Sequence, residues 1–315
     1  MRVTVRCAAA VALLAVVSAG CTSGGSPPGG GRAASGHLTI ASGGTTGVYH
    51  AYADELRRVI AEDVPGLSAD VRTTAGSGEN ISLITTGQAQ LGFSTADSVY
   101  SAGNPSSLRA VARVYDEYIH VVVRASSTVK TVKDLKGLRV STGQPGSSTE
   151  LVADRLLGAV GLTSADLVRS RLGIGESADA LQARRIDAFF WSAGLPTPRV
   201  QSLAAAVPIR LLPVASEVPT LRAQYGTYYR RATIPPATYE GVGETATIAV
   251  PNYLLVAKSL SADTVYRLTQ VLFARREQIA SRVPSGQLLD PRTAISTMPV
   301  PLHPGAERYY RDTKP

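Results

Sequence analysis

Cysteine is almost absent from this chain of 315 residues, which contains only Cys7 and Cys21. Cys7 lies in an apolar N-terminal segment that we expect to be removed from the mature protein. Cys21 is then the one cysteine left, so an intramolecular disulfide and a cysteine metal site are both excluded.

Long apolar runs and clusters of basic residues are also absent. Beyond residue 36 no stretch approaches the about 18 uninterrupted apolar residues of a membrane span, so we expect a soluble body. The formal net charge is +8, but no basic run exceeds a pair such as Arg57-Arg58. A nucleic-acid groove needs clustered basic residues with interleaved aromatics, so no nucleic-acid partner is predicted.

Motifs of enzymes and metal sites are missing as well. The sequence has no Gly-x-Ser-x-Gly elbow and no His-x-x-x-His spacing, and its four histidines are scattered. The stretch 173–178 matches a dinucleotide fingerprint but lacks the acidic residue about 20 positions later. We therefore predict no metal, no cofactor and no enzymatic activity.

The N-terminus has the pattern of a signal peptide. Arg2 and Arg6 form a basic region, and an apolar run of 11 residues follows from Cys7 to Val17. That run is too short to cross a bilayer and is typical of a secretory signal. We predict a signal peptide over residues 1–20.

The end of this signal resembles a bacterial lipobox. Residues 17–21 read Val-Ser-Ala-Gly-Cys, and in a lipobox the cysteine receives a lipid and becomes the new N-terminus. We predict lipidation of Cys21 and a flexible linker of Gly, Ser and Pro over residues 21–36. The alternative is an ordinary secretory signal that is cleaved near Ala19.

Short apolar strand patterns alternate with longer helical patterns along the remaining chain. Leu38–Ala41 precedes the helical pattern 47–61, and the alternation restarts after residue 132. This order predicts an α/β fold with a largely parallel sheet. Two further strands are predicted at Arg109–Tyr115 and Ile119–Arg124.

The restart predicts a second α/β unit inserted into the first. Lobe I then comprises residues 37–124 plus 250–315, and lobe II comprises residues 125–249. The chain crosses between lobes near Arg124–Ser126 and Val250–Asn252. Two crossings make a hinge, and the space between the lobes makes a cleft.

Two Gly/Ser/Thr turns occur 100 residues apart, in Ile40–Tyr49 and Val140–Thr149. Each turn follows a strand pattern and opens a helical pattern. Helix N-termini favour anions, and open α/β sheets bind ligands at the carboxyl ends of their strands. We predict that the two turns hold a ligand from both sides.

Nine segments together resemble the TAXI-type extracytoplasmic solute-binding subunits of TRAP (tripartite ATP-independent periplasmic) transporters. The segments are Ile40–Tyr49, Thr74–Ile81, Gln90–Asp97, His120–Arg124, Asp134–Ser141, Gly143–Thr149, Arg185–Trp191, Asp263–Gln270 and Pro301–Tyr309. The resemblance implies a two-lobed periplasmic-binding-protein fold of the Venus-flytrap, type II-like kind. It also implies capture of a small carboxylate or an acidic, glutamate-like amino acid and its delivery to a membrane permease.

In the first turn, Thr45, Thr46 and Tyr49 are candidate ligand contacts. The hydroxyls and helix N–H groups suit a carboxylate, and Tyr49 offers an apolar wall with a polar tip. The alternative is an ordinary helix cap with a core tyrosine.

In the second turn the candidates are Gly146, Ser147, Ser148 and Thr149. A single hydroxyl caps a helix whatever its function, and two serines with a threonine exceed that need.

Other candidates follow a strand or a glycine-rich loop. Ser94, Thr95 and Asp97 open a helix, where Asp97 could accept a hydrogen bond from a ligand ammonium or serve only as a cap. Asn80 has a similar capping alternative. Trp191, the only tryptophan, is the aromatic residue predicted to close over the ligand.

We therefore predict an extracytoplasmic solute receptor, anchored by lipid to the outer face of the cytoplasmic membrane. A receptor of the same fold that feeds a membrane histidine kinase is the alternative. An extracytoplasmic hydrolase is disfavoured because no nucleophile, base and orienting group occur together.

Overall fold

The structure, a computed structural model, describes residues 36–103 and 105–313. The predicted signal peptide, the lipidation site Cys21 and the linker up to residue 35 lie outside these residues.

The strands of the described residues all join one sheet. They are β1 (Gly36–Ala41), β2 (Leu67–Arg72), β3 (Leu91–Thr95), β4 (Leu108–Arg124), β5 (Arg139–Ser141), β6 (Val168–Ser170), β7 (Ala188–Ala193), β8 (Ile209–Leu211), β9 (Arg230–Ile234) and β10 (Thr245–Ala257). Their order is β2-β1-β3-β10-β4-β7-β5-β6, while β8 pairs with β4 and β9 with β10.

Strand direction differs between the ends and the centre of this sheet. β1 is parallel to β2 and β3, and β5 is parallel to β6 and β7. In the centre, β4 and β10 are antiparallel to each other and to their other neighbours. The predicted parallel pairing therefore describes the two ends, and long antiparallel strands join them.

The helices alternate with these strands. They are α1 (Val48–Asp63), α2 (Ser77–Thr85), α3 (Ala96–Ser101), α4 (Ser148–Ala159), α5 (Ile174–Gln182), α6 (Pro198–Ala206), α7 (Val218–Tyr225), α8 (Ala262–Ala274), α9 (Arg276–Arg282), α10 (Pro291–Ala294) and α11 (Pro304–Asp312), with short 3-10 turns at Val132–Leu135, Ser164–Asp166, Ala215–Glu217 and Pro284–Leu288.

Helix α1 illustrates how sequence sets this architecture. Tyr52, Leu56, Val59 and Ile60 are fully or almost fully buried, at a helical spacing that places them on one face. That face packs in a core with Leu38 and other residues of both sheet and helices. Each such side chain stabilises the fold by about 1.5–3 kcal/mol.

β4 corrects one prediction from the sequence. The patterns Arg109–Tyr115 and Ile119–Arg124 were predicted as two strands, but they form the single strand β4. β4 pairs with β10 as far as Tyr118, and from Tyr118 onward it pairs with β7. The polar residues between the two apolar patterns therefore mark a change of partner within one strand, and not a break.

None of the helices in the described part of the chain is both long and apolar enough to cross a membrane.

Candidate functional site

The two Gly/Ser/Thr turns line a common cavity. The cavity encloses about 30 Å³, and about 370 Å³ when all the space that is open to solvent is counted. The lining comes from the first turn and the start of α1 (Gly43, Gly44, Gly47, Val48, Tyr49), the loop before α2 (Ala75, Gly76), β4 (Glu117), the start of α4 (Ser147, Ser148, Thr149) and the end of β7 (Trp191, Ser192, Ala193).

Backbone contacts bring the loop before α2 against the second turn. The Gly78 nitrogen donates to the Gly146 oxygen at 2.9 Å. A Cβ atom at Gly78 would lie 2.6 Å from that oxygen, a distance that side chains do not tolerate. Glycine at position 78 therefore permits the close approach.

Two long helices begin at the cavity wall. α1 begins at Val48 without a side-chain cap. At the start of α4, Ser147 Oγ accepts from the Glu150 nitrogen at 3.1 Å. The first N–H groups of a helix have no partner within the helix, and its dipole is positive there. The wall therefore carries partial positive charge from two directions.

Glu117 brings an acidic group to the same cavity. Its side chain accepts hydrogen bonds from Ser192 Oγ at 2.5 Å, Asn252 Nδ2 at 3.0 Å and Ser148 Oγ at 3.4 Å. It is 1% exposed. Burial raises the pKa of Glu117 to about 7, although the hydrogen bonds from Ser192 and Tyr49 oppose this rise.

Tyr49 forms part of the same polar network. Its hydroxyl accepts from Asn252 Nδ2 at 2.5 Å and hydrogen-bonds with Ser77 Oγ at 3.1 Å. Its ring stacks on Phe93 with centroids 5.5 Å apart. Tyr49 is therefore a core residue that also lines the cavity. From the sequence, a core position and a ligand contact were alternative predictions for this residue.

Trp191 faces the first turn. A Cβ atom at Gly47 would lie 3.8 Å from the Trp191 ring. The indole Nε1 is buried and has no hydrogen-bond partner among the described residues. A buried donor without a partner is costly, so this N–H is available to a bound group.

Five of the predicted site residues line the cavity, namely Tyr49, Ser147, Ser148, Thr149 and Trp191. Thr45 and Thr46 are exposed and lie outside the lining. Gly146 also lies outside it, and its carbonyl is used by Gly78.

Asn80 is a structural residue. Its Nδ2 donates to the Ser42 and Phe93 oxygens at 2.7 and 2.8 Å, and its Oδ1 accepts from Thr74 Oγ1 at 2.7 Å. The amide is fully buried and ties three segments together. Asn80 lies outside the cavity lining, and its amide oxygen and nitrogen already have partners within the protein.

Ser94, Thr95 and Asp97 also lie outside the cavity lining. Ser94 Oγ donates to the Thr95 oxygen, and Thr95 Oγ1 bonds with Ser98 Oγ at 2.8 Å. Asp97 Oδ2 accepts a hydrogen bond from the Tyr229 hydroxyl at 2.8 Å. These polar groups are buried and serve the packing around α3.

Asp97 is further held by a basic residue of α4. Arg155 Nη1 lies 3.7 Å from Asp97 Oδ2 and donates to the Tyr229 hydroxyl at 2.8 Å. The carboxylate is 1% exposed and faces this arginine. Asp97 Oδ2 therefore has a cation within the protein, while Asp97 Oδ1 has no hydrogen-bond partner among the described residues.

Glu117, Ser192 and the first-turn glycines also line the cavity, although the sequence did not single them out as candidates. One signal was present, because Asp116-Glu117 interrupts a run that is otherwise rich in Val, Ile and Tyr. Acidic residues are rarely fully buried without a partner, and in this structure Glu117 lines the cavity.

The described ranges contain no group of three or more His, Cys, Asp or Glu residues that could hold a metal ion.

Comparisons with known proteins show the family and the fold. Residues 40–313 match the model of the NMT1-like family. Among solved structures, the alkanesulfonate-binding protein SsuA from Xanthomonas axonopodis pv. citri, bound to MOPS, is 18% identical with a TM-score of 0.52, and the match covers 89% of this chain and 85% of that one.

Two further structures are similar. An ancestral arginine-binding protein bound to arginine is 13% identical with a TM-score of 0.52, over 78% of this chain and 97% of that one. A mutant of ArgBP from T. maritima is 14% identical with a TM-score of 0.50, over 79% and 93%. At such identities the likeness shows the fold, which is the two-lobed α/β fold of periplasmic binding proteins.

Proposed function

The chain belongs to the NMT1-like family, and from that premise and its two-lobed fold we propose that it is an extracytoplasmic solute-binding protein. The observation that carries this proposal is the cavity between the two turns. Two helix N-termini, polar hydroxyls and a tryptophan surround it, as in a pocket for a small polar solute.

The proposed ligand is a small carboxylate or an acidic, glutamate-like amino acid. Its carboxylate would lie at the starts of α1 and α4, where N–H groups can donate to it. The hydroxyls of Ser147 and Ser148 would turn to it from their acceptors in this structure, the Gln144 carbonyl and Glu117. Among the described residues no arginine lines the cavity, so helix N-termini would take the place of a guanidinium.

The proposed mechanism is capture followed by closure. With lobe I as residues 37–124 plus 250–315 and lobe II as residues 125–249, the first turn belongs to lobe I and the second to lobe II. Ligand that contacts both turns favours the closed arrangement because it binds the open one less well. The closed protein would then dock on a TRAP-type permease of the TAXI kind, as the nine resembling segments suggest.

A ligand screen tests the proposal. The processed chain, from residue 21 onward, is heated with amino acids, dicarboxylates and keto acids. A ligand at 100 times its Kd stabilises a protein by about 2.7 kcal/mol, which raises the melting temperature by roughly 5 °C at this size. Absence of any stabilising compound across these classes would contradict the proposed ligand class.

Replacement of Ser147 and Ser148 by alanine tests the site itself. We expect weaker binding of any ligand found, by about tenfold, because hydroxyl donors are lost. Ser147 also caps α4, so its loss lowers stability by about 1 kcal/mol.

Ser261→Ala provides the matched control. Ser261 Oγ accepts from the Thr264 nitrogen at 3.0 Å and caps α8 away from the cavity. This variant should lose similar stability and keep its affinity, as measured by calorimetry. Unchanged affinity in the Ser147/Ser148 double variant would remove the second turn from the site.

A further inference from the structure

Glu117 is a buried carboxylate without a cation. It is 1% exposed, and its hydrogen bonds come from neutral side chains of α4, β7 and β10, namely Ser148, Ser192 and Asn252. Buried carboxylates in proteins are normally paired with a cation or kept protonated.

The adjacent carboxylate has the opposite arrangement. Asp116 follows the usual pattern, since Arg113 Nη2 lies 2.7 Å and Arg230 Nη2 lies 2.6 Å from its oxygens. Successive side chains of a strand point to opposite faces, so the two carboxylates face different surroundings. Both arginines therefore pair with Asp116, and Glu117 lines the cavity without an arginine partner.

Other titratable groups near Glu117 supply no positive charge. Tyr49 of α1 and Tyr115 of β4 face it, and burial raises the pKa of both well above the ordinary value, so both are neutral. Asp97 of α3 adds only a negative charge nearby. No described residue therefore supplies a cation to Glu117 when its carboxyl is ionised.

Building on the proposed function, we infer that the ligand carries an ammonium group, which pairs with Glu117 while its carboxylate lies at the helix N-termini. The ligand class is then an α-amino acid, and the corresponding keto acids and amine-free dicarboxylates are excluded. The cavity wall places a carboxylate beside two helix N-termini, which matches the adjacent ammonium and carboxylate of an α-amino acid.

Matched ligand pairs test this inference on the processed chain. Each amino acid is compared with the compound that lacks its amino group, such as L-glutamate with glutarate and 2-oxoglutarate, and L-alanine with pyruvate. We expect at least one amino acid to bind about 100-fold more tightly than its partners, since a hydrogen-bonded charge pair is lost without the ammonium. Equal or tighter binding of the amine-free partner overturns the inference and leaves the proposed function intact. Failure of every compound overturns both.

Proton exchange on binding gives a second test that needs no variant. An ammonium beside Glu117 lowers the pKa of that carboxyl, so binding between pH 6 and 7 should release protons. Calorimetry in buffers of different ionisation enthalpy measures this. Proton uptake would place an anion beside Glu117 and overturn the inference.

Glu117→Gln and Asp116→Asn form the variant pair. Glu117→Gln should weaken amino-acid binding by at least about tenfold and abolish the proton release, because the neutral amide cannot pair with ammonium. Asp116→Asn should leave both unchanged. Retained affinity and proton release in Glu117→Gln would assign the ammonium to another group.

Discussion

Glu117 and His120 lie on the same strand and respond to pH in opposite directions. Burial raises the pKa of Glu117 to about 7 and lowers the pKa of His120 to about 4. Stability from neutral Glu117 is present at low pH and is lost as the pH rises through about 7. Stability from neutral His120 is present above the ordinary histidine pKa of 6.5 and is lost as the pH falls towards 4.

We predict that Glu117→Gln removes the Glu117 contribution to the pH dependence of stability in the ligand-free protein and leaves the His120 contribution in place. Glutamine does not titrate, so the variant avoids the cost of an ionised buried carboxylate at pH 8. The unfolding free energy of the variant relative to wild type should therefore increase by about 3 kcal/mol from pH 4.5 to pH 8. Urea denaturation at both pH values measures it.

His120 is common to both proteins and cancels in this comparison. Asn252 Oδ1 has no hydrogen-bond partner among the described residues, so it can accept a hydrogen bond from the amide of the introduced glutamine. A stability difference that does not change with pH would mean that the pKa of Glu117 is the same in the folded and the unfolded protein.

At the scale of elements, Tyr229 joins α3 to α4. Its hydroxyl donates to Asp97 Oδ2 and accepts from Arg155 Nη1, both at 2.8 Å. The direct distance from Arg155 to Asp97 is longer, at 3.7 Å. The tyrosine hydroxyl is therefore the main link between the two charges.

We predict that Tyr229→Phe lowers the unfolding free energy by about 1.5–3 kcal/mol, since it removes hydrogen bonds to charged groups in a buried site. Chemical denaturation measures the loss. Tyr225→Phe is the control, because the Arg155 guanidinium lies over the Tyr225 ring at 4.3 Å and the ring is kept. Equal stability of the two variants would show that the hydroxyl bridge contributes little.

The same contact bears on closure. With the proposed lobe bounds, Asp97 belongs to lobe I and Arg155 and Tyr229 belong to lobe II. If closure forms this contact, Tyr229→Phe should weaken ligand binding as well as stability, because the closed arrangement alone would lose it.

At the scale of the whole molecule, membrane attachment depends on residues outside the described structure. We predict that Cys21→Ala moves the protein from the membrane fraction to the soluble fraction or the medium, because the lipid site is removed. Fractionation followed by immunoblotting measures this. Cys7→Ala, within the predicted signal, should leave the anchored protein unchanged. Continued membrane retention of Cys21→Ala would refute the lipobox assignment.

Much of the fold could be predicted from local patterns. The alternation of strands and helices, the two turns and the starts of α1 and α4 all follow from short sequence signals. The direction of the central strands could not be predicted in this way. Whether Asp116-Glu117 ends a strand or lies within one depends on β10, which pairs with β4 from far along the chain.

The sequence by itself determined which segments could present hydroxyls and helix N-termini to a ligand, because capping and turn formation are local. Only the tertiary structure decided which polar residues face the cavity. Asn252 reaches Glu117 across 135 residues of sequence, while Asp97 finds its partner Tyr229 across 132. Burial and charge pairing depend on such distant neighbours, and they leave Glu117 facing the cavity and Asp97 inside the protein.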